Sequence, residues 1–374
     1  MCNSSKSLDY STFLPLQERK TYMKKLVILG GGYGGLALIQ ELFSSYLPHD
    51  LEVVLIDRMP YQGLKTEYYA LAAGTVADTE LRVKFPEYDK LSIHYGEVTS
   101  VDLDSRLVHL ENDDPIAYDQ LAIALGCTDR YHGVPGAEEF TCSLQSFSGA
   151  RETYLRLNNL KPYSRVHIVG GGLSGIELAA DLRESRPDLN IAILDRGARV
   201  LSSFPNRLSA YIQRWFEENN VDILSGVSVS RVERDVVYNM EQAIPTDMTV
   251  WTAGIQPVSV VQNLDLPKDR SGRVLLNELY QVPSYPEVYV IGDCASLPFV
   301  PSAQAAGAQA EQIGHVLKAM WREETPKVHP LKLKGTLGSL GKRAGFGLMG
   351  NTSVIGRVPR LLKSGVLWKS KRHF

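Results

Sequence analysis

The sequence predicts an α/β protein with two doubly wound units, and three observations carry that reading. The stretches GGGYGG at 30–35 and GGGLSG at 170–175 each follow a short apolar run and precede an apolar helical pattern. The glycines of each are spaced G-x-G-x-x-G. Each helical pattern leads to a second apolar run that ends in an acid, Asp57 in one case and Asp195 in the other.

In the first unit, LVIL at 26–29 reads as a buried strand, LALIQELFSSY at 36–46 as a helix and EVVLID at 52–57 as the next strand. Gly30 permits the tight turn, Gly32 lets backbone approach a pyrophosphate, and Gly35 lets the helix pack close to the strand. The helix N-terminus offers unpaired N–H groups and partial positive charge to phosphates. Asp57, 22 residues beyond Gly35, stands where an acid accepts from a ribose hydroxyl. The second unit repeats the pattern with RVHIV at 165–169, then Gly170, Gly172 and Gly175, a helix from Ile176, and IAILD ending in Asp195. One such glycine pattern is weak evidence against an ordinary turn; two, each with strand, helix and acid in place, point to two Rossmann-like domains that bind two dinucleotides.

The runs HYGEVTSVDLDSRLVHLE (94–111) and YDQLAIALG (118–126) lie between the units, and MTVWTAGIQP (248–257) and EVYVIGDCASLP (287–298) follow the second. These read as strands returning to their parent sheets, so the first domain is expected to be discontinuous. The expected boundaries are 23–145 with 258–326 for the first domain, 146–257 for the inserted one and 327–374 for a basic C-terminal segment. The chain reads most naturally from Met23, and 1–22 are expected to be a disordered extension without the apolar core of a secretory signal.

At 374 residues, with 44% hydrophobic and 22% charged residues, the chain has the composition of an ordinary globular protein. No apolar run reaches the length of a transmembrane helix. The formal net charge of -2 hides an asymmetry: from Lys327 onward there are eleven Lys/Arg and no acid. A basic tail on an acidic body suggests an anionic partner; no nucleic-acid partner is expected. The four cysteines form no C-x-x-C pair and the histidines no ligand spacing, so neither a redox disulfide nor a metal site is expected.

The order GGGYGG…Asp57, YDQLAIALG, GGGLSGIEL…Asp195, WTAGIQP, VYVIGDCA resembles the flavoprotein reductases with two dinucleotide-binding domains. The resemblance implies FAD in the first cradle, NADH in the inserted one, and Gly292-Asp293 against the flavin's ribityl and pyrophosphate. GLKTEYYALAAGTV (63–76), PSAQAAGAQAEQ (301–312) and the basic tail with KGTLGSLGKRAGFGLMG (334–350) resemble one branch, the type II NADH:quinone dehydrogenases. That implies two electrons passed from NADH through FAD to a membrane quinone, without proton pumping, at the cytoplasmic face of the membrane or in the cytoplasm. It places Gln304 beside the flavin ring and Glu177 near the nicotinamide, although a solvated first-turn acid would suit Glu177 equally well. A homodimer is a further expectation.

Two departures keep the acceptor open. Ala308 stands where the family motif has its second glutamine, with Gln309 one step further around the helix, and the tail is shorter than the family's paired amphipathic helices. Alternative readings are a soluble NAD(P)H-dependent flavin reductase serving a protein acceptor, and a redox-regulatory flavoprotein. Asp195 favours NADH over NADPH, with Arg196 and Arg199 near enough to reach a 2′-phosphate. A helix from Val354 is expected to gather Val354, Ile355, Val358, Leu361, Leu362, Val366 and Trp368 on one side, with Arg357, Arg360, Lys363 and Lys371 on the other.

Overall fold

Two parallel sheets organise the chain, and the second is built between two visits to the first. The structure is a computed structural model that describes residues 23–45 and 47–371. The extension expected at 1–22 and the Tyr46 end of the first helix lie outside the described residues.

The first sheet has six strands in the order Gln281–Val282, Tyr285–Val290, Gln120–Ile123, Lys24–Leu29, Leu51–Asp57 and Leu91–Tyr95. All neighbours run parallel except the antiparallel edge pair at 281–290. Leu26, Val27, Ile28 and Leu29 are fully buried, as expected of a central parallel strand covered on both faces. The second sheet follows the order Thr141–Cys142, Met248–Trp251, Arg165–Val169, Asn190–Asp195 and Val221–Ser225, parallel throughout.

The chain leaves the first unit through Cys127–Asp129 and re-enters it through Ile255–Pro257, and these two crossings pair antiparallel with each other. Helix Ala303–Trp321 then lies across the first cradle helix, Tyr33–Phe43. Leu38, Ile39 and Leu42 share a core with Ala310, Ile313 and Leu317. The Ser302 hydroxyl caps this helix by accepting from the Ala305 N–H at 3.1 Å.

The tail differs from the amphipathic helix expected from Val354. Thr336–Leu340, Ala344–Met349 and Thr352–Gly356 form a three-stranded antiparallel sheet, and the helix begins only at Arg357. Val354 and Ile355 are strand residues opposite Gly347 and Phe346. Gly356, at φ 90, ends the strand and precedes the helix, and Pro359 falls in its first turn, where a missing N–H costs nothing. Phe346 and Leu340 are buried in the core of the second unit, so this sheet is packed structure and not a loose extension.

Candidate functional site

The glycines of the two cradles sit in matching conformations. Gly30 has φ +97, and a Cβ there would lie 2.6 Å from the Ala124 carbonyl oxygen; Gly170 has φ +112, with the Thr252 carbonyl at 2.8 Å. A Cβ on Gly35 would fall 1.9 Å from the Gly30 carbonyl oxygen, and one on Gly175 would fall 2.1 Å from that of Gly170. Only glycine lets each helix start this close to its strand. At Gly32 and Gly172 a Cβ would meet nothing within 4 Å, so both cradles are open at that position.

The two acids are held alike. Asp57 accepts from the Gly31 N–H at 2.6 Å with one oxygen and from the Met59 N–H at 2.8 Å with the other. Asp195 accepts from Gly171 at 2.6 Å and from Gly197 at 2.7 Å. Each carboxylate thereby fastens the glycine turn to the end of the next strand and keeps further lone pairs free to accept. Burial pushes the Asp57 carboxyl above its ordinary range, against these two hydrogen bonds.

A cavity of about 550 Å³ runs along the first cradle. Its lining includes Asp57, Arg58 and Gly96–Thr99, and also Lys65, Cys127, Gln145, Asp293 and Ala303. Its volume falls in the range of small-molecule and cofactor sites. Gly292 makes the turn at φ +71, and its N–H donates to Gln309 Oε1 at 2.7 Å; Gln309 Nε2 donates in turn to the Val290 carbonyl at 2.8 Å. The fully buried Gln309 thus clamps the Gly-Asp segment from behind. The Cys127 thiol donates to Asp293 Oδ2 at 3.0 Å, and Lys65 Nζ donates to the Cys127 carbonyl at 3.0 Å and contacts its sulfur at 3.2 Å. Burial pushes the thiol up to about 12, so it stays protonated.

Gln304 lies off the lining of this cavity. The helix turns Ala303 and Ala306 toward the cavity, whereas Gln304 Oε1 accepts from the Lys334 N–H at 3.0 Å. One residue is about 100° of helix, and that step carries the amide off the cavity face onto the tail. Ala308 is half-buried and also outside the cavity lining.

Glu177 is neither a solvated acid nor part of that cavity wall. It lies buried on helix Leu173–Ser185, where Oε1 accepts from the Ser339 N–H at 2.8 Å and from the Lys363 ammonium. The same ammonium lies 3.3 Å from Glu67 Oε1 and donates to the Tyr69 hydroxyl at 2.6 Å. One helical turn on, Asp181 accepts from Thr75 Oγ1 at 2.5 Å, and burial raises its carboxyl to about 6. Burial also raises the Glu177 carboxyl, with Lys363 opposing. Burial would depress the Lys363 ammonium, but the carboxylates of Glu177 and Glu67 outweigh it and raise it. This seam joins both domains to the tail; sequence reading placed Lys363 on an exposed polar face and passed over Glu67 and Lys65.

Paired cradles on two parallel sheets, one inserted in the other, define a protein with two dinucleotide-binding units. Residues 24–310 match the pyridine nucleotide-disulphide oxidoreductase family, and the chain belongs to it. It is 54% identical over 353 residues to the NADH dehydrogenase-like protein YutJ of Bacillus subtilis, covering 94% of this chain and 99% of that one. It is 29% identical to the demethylphylloquinone reductase NdbB of Synechocystis, over 72% of each chain. In fold it is similar to NDH2 from Plasmodium falciparum in complex with NADH, with a TM-score of 0.82 at 17% identity, covering 94% of this chain and 96% of that one.

Proposed function

We propose that the chain is a FAD-dependent NADH dehydrogenase that passes two electrons to a quinone without pumping protons. The observation that carries this is the difference in cover between two chemically alike cradles. The first opens into a cavity walled by three parts of the chain, suited to a resident FAD. In the second, Gly172 and Ser174 are exposed, which suits a ligand that comes and goes, here NADH. On this reading 23–145 with 258–326 hold FAD, with Gly30, Gly32, Gly35, Asp57, Gly292 and Asp293 against it. Residues 146–257 hold NADH, with Gly170, Gly172, Gly175 and Asp195 against it.

FAD, when bound, supplies the hydride-accepting and electron-donating ring. The chain's residues bind, orient and shield it: the cradle N–H groups take the pyrophosphate, Asp57 the ribose, and the Gln309-clamped Gly-Asp turn the far end. Asp195 discriminates against a 2′-phosphate. Arg199 is occupied by the Phe204 and Ser202 carbonyls and the Ser209 hydroxyl, which leaves Arg196 as the nearby arginine able to oppose it.

The quinone reading draws support from the names of the relatives and from the tail helix, Arg357–Ser370. That helix turns Lys363 inward while Val358, Leu361, Val366 and Trp368 are more than half exposed, with Arg357 and Lys369 beside them. An exposed apolar face with Arg357 at its edge, interrupted by Lys369, suits the surface of an anionic membrane, where each basic residue near the surface adds ~1 kcal/mol. No described helix is long and apolar enough to cross a membrane. The test is steady-state NADH oxidation by purified, flavin-loaded protein with short-chain quinones, with and without anionic vesicles. Quinone turnover that rises with vesicles is the expected result. Turnover with ferredoxin but not with quinones would replace this reading by that of a soluble reductase serving a protein acceptor.

A further inference from the structure

We propose that Asp129 is a positioning residue for flavin reduction: with Ser143 it fixes the joint at which the inserted unit meets the first, and so how the two nucleotides face each other. This role rests on the reading above of FAD in the first unit and NADH in the second.

Cys127–Asp129 carries the chain out of the first unit, and Thr141–Cys142 is the edge strand of the second sheet. Ser143 follows that strand, and from Gln145 the chain is back against the first cavity, which Gln145, Ser146, Phe147 and Ser148 line. The Ser143 hydroxyl donates to Asp129 Oδ2 and accepts from the Gln145 N–H at 3.0 Å. The Ser143 carbonyl accepts from Thr153 Oγ1 at 2.9 Å, which ties the same residue to helix Phe147–Asn158. One side chain on the outgoing crossing therefore holds the place where the second unit touches the cavity of the first. Gln145 Oε1 in turn lies 3.6 Å from the Cys127 thiol, whose nearer acceptor is Asp293, so the joint is continuous with the Gly-Asp turn.

A structural role alone accounts poorly for a carboxylate here. Asp129 is 2% exposed, and its Oδ1 has no hydrogen-bond partner among the described residues. A buried acceptor left unpaired destabilises a fold, and an apolar side chain of similar size avoids that cost. What the carboxylate adds is direction. A serine hydroxyl rotates to suit its neighbours. An ionised acceptor draws its proton to one side and leaves the lone pairs to Gln145. Burial raises the Asp129 carboxyl to about 6, against the Ser143 bond and the positive charge of Lys65, so the group is ionised at neutral pH.

Hydride transfer tolerates little displacement of donor from acceptor. Each cradle keeps its own glycine turn and acid whatever happens at the joint. Loosening the joint should therefore spare nucleotide affinity and slow the transfer between the two.

The test pairs hydrogen exchange with stopped-flow reduction of the flavin-loaded full chain by NADH. Asp129→Ala should keep its flavin, speed exchange at the Gln145 amide about tenfold and lower the limiting reduction rate about tenfold. The NADH concentration for half-maximal rate should stay within about threefold of the wild type. Asp129→Asn, whose amide oxygen still accepts from Ser143, should stay within about threefold in both readouts. Ser143→Ala should match Asp129→Ala, and the double variant should be no slower than either. A wild-type rate in Asp129→Ala, an Asp129→Asn as slow as the alanine variant, or a double variant slowed about a hundredfold overturns the proposal and leaves the flavin reading intact. Exchange at Gln145 that Asp129→Ala leaves unchanged overturns it as well. If Asp129→Ala loses its flavin or does not fold, Ser143→Ala takes the same measurements; flavin loss from both makes the pair a binding element and ends the positioning role. A wild-type chain that takes up no flavin sinks the parent reading and this one together.

Discussion

The two glycine cradles differ least at the glycine turns themselves and most one residue further along. In the first, position 34 is a buried glycine whose Cβ would meet Ile291 at 2.5 Å and Ala306 at 3.7 Å. In the second, the matching position is Ser174, exposed to solvent. The first helix start is roofed by the returning Gly-Asp strand and helix Ala303–Trp321; at Ser174 the second is exposed among the described residues. Like glycine turns can therefore be covered or left open, and the choice is made by later parts of the chain.

The largest expected effects come from exchanging the two environments. Gly34→Ser should abolish flavin retention after desalting, because it drives a side chain into Ile291. Ser174→Gly should change the KM for NADH by less than about threefold. Gly175→Ala, with its Cβ in the Gly170 carbonyl, should leave the protein yellow but unreduced by NADH. Loss of flavin from Gly175→Ala as complete as from Gly34→Ser would break the comparison.

A smaller effect is expected at the seam behind the second cradle. Lys363→Met leaves Glu67 and Glu177 buried without their cation and should cost about 3–5 kcal/mol in denaturant unfolding. The double variant Lys363→Met/Glu177→Gln should recover part of that loss. Equal stability of the single variant and the parent would mean that the tail does not hold the second cradle helix.

The smallest effect is confined to the second sheet. His167 is buried beside its cross-strand neighbour Thr249, and neither His167 Nδ1 nor Thr249 Oγ1 has a hydrogen-bond partner among the described residues. Burial lowers the His167 pKa from 6.5 to about 4. The folded form therefore binds fewer protons than the unfolded one between those values. The contribution of neutral His167 is complete above about pH 6.5 and is lost as pH falls toward 4, amounting to ~2 kcal/mol at pH 5. Hydrogen exchange should show 165–169 and 248–251 losing protection between pH 7 and 5 before the first sheet does. His167→Leu should flatten that dependence.

The cradles were legible because their chemistry is local. RVHIV is a strand over the residues read from the pattern, and Asp57 and Asp195 sit where a β-α-β repeat must put them. The bond of Gln304 to the tail was not legible, because a motif names a residue but not the azimuth of its helix, and its amide oxygen accepts from the Lys334 N–H. The hairpins of 336–356 were obscured by glycines, since Gly338, Gly345 and Gly347 blur the alternation that marks a strand. Glu67 and Lys363 are almost 300 residues apart, and no local pattern announces that a lysine on an apolar helix will turn inward to meet two glutamates.

The antiparallel pairing of Cys127–Asp129 with Ile255–Pro257 has a consequence for modularity. Because the outgoing and returning segments lie side by side, the ends of the inserted unit meet, and the host sheet would need only a tight hairpin if the insert were removed. These crossings are thus where the two sheets part: every strand of the second sheet lies between them in sequence and every strand of the first lies outside, so the strand order of each is closed on its own side.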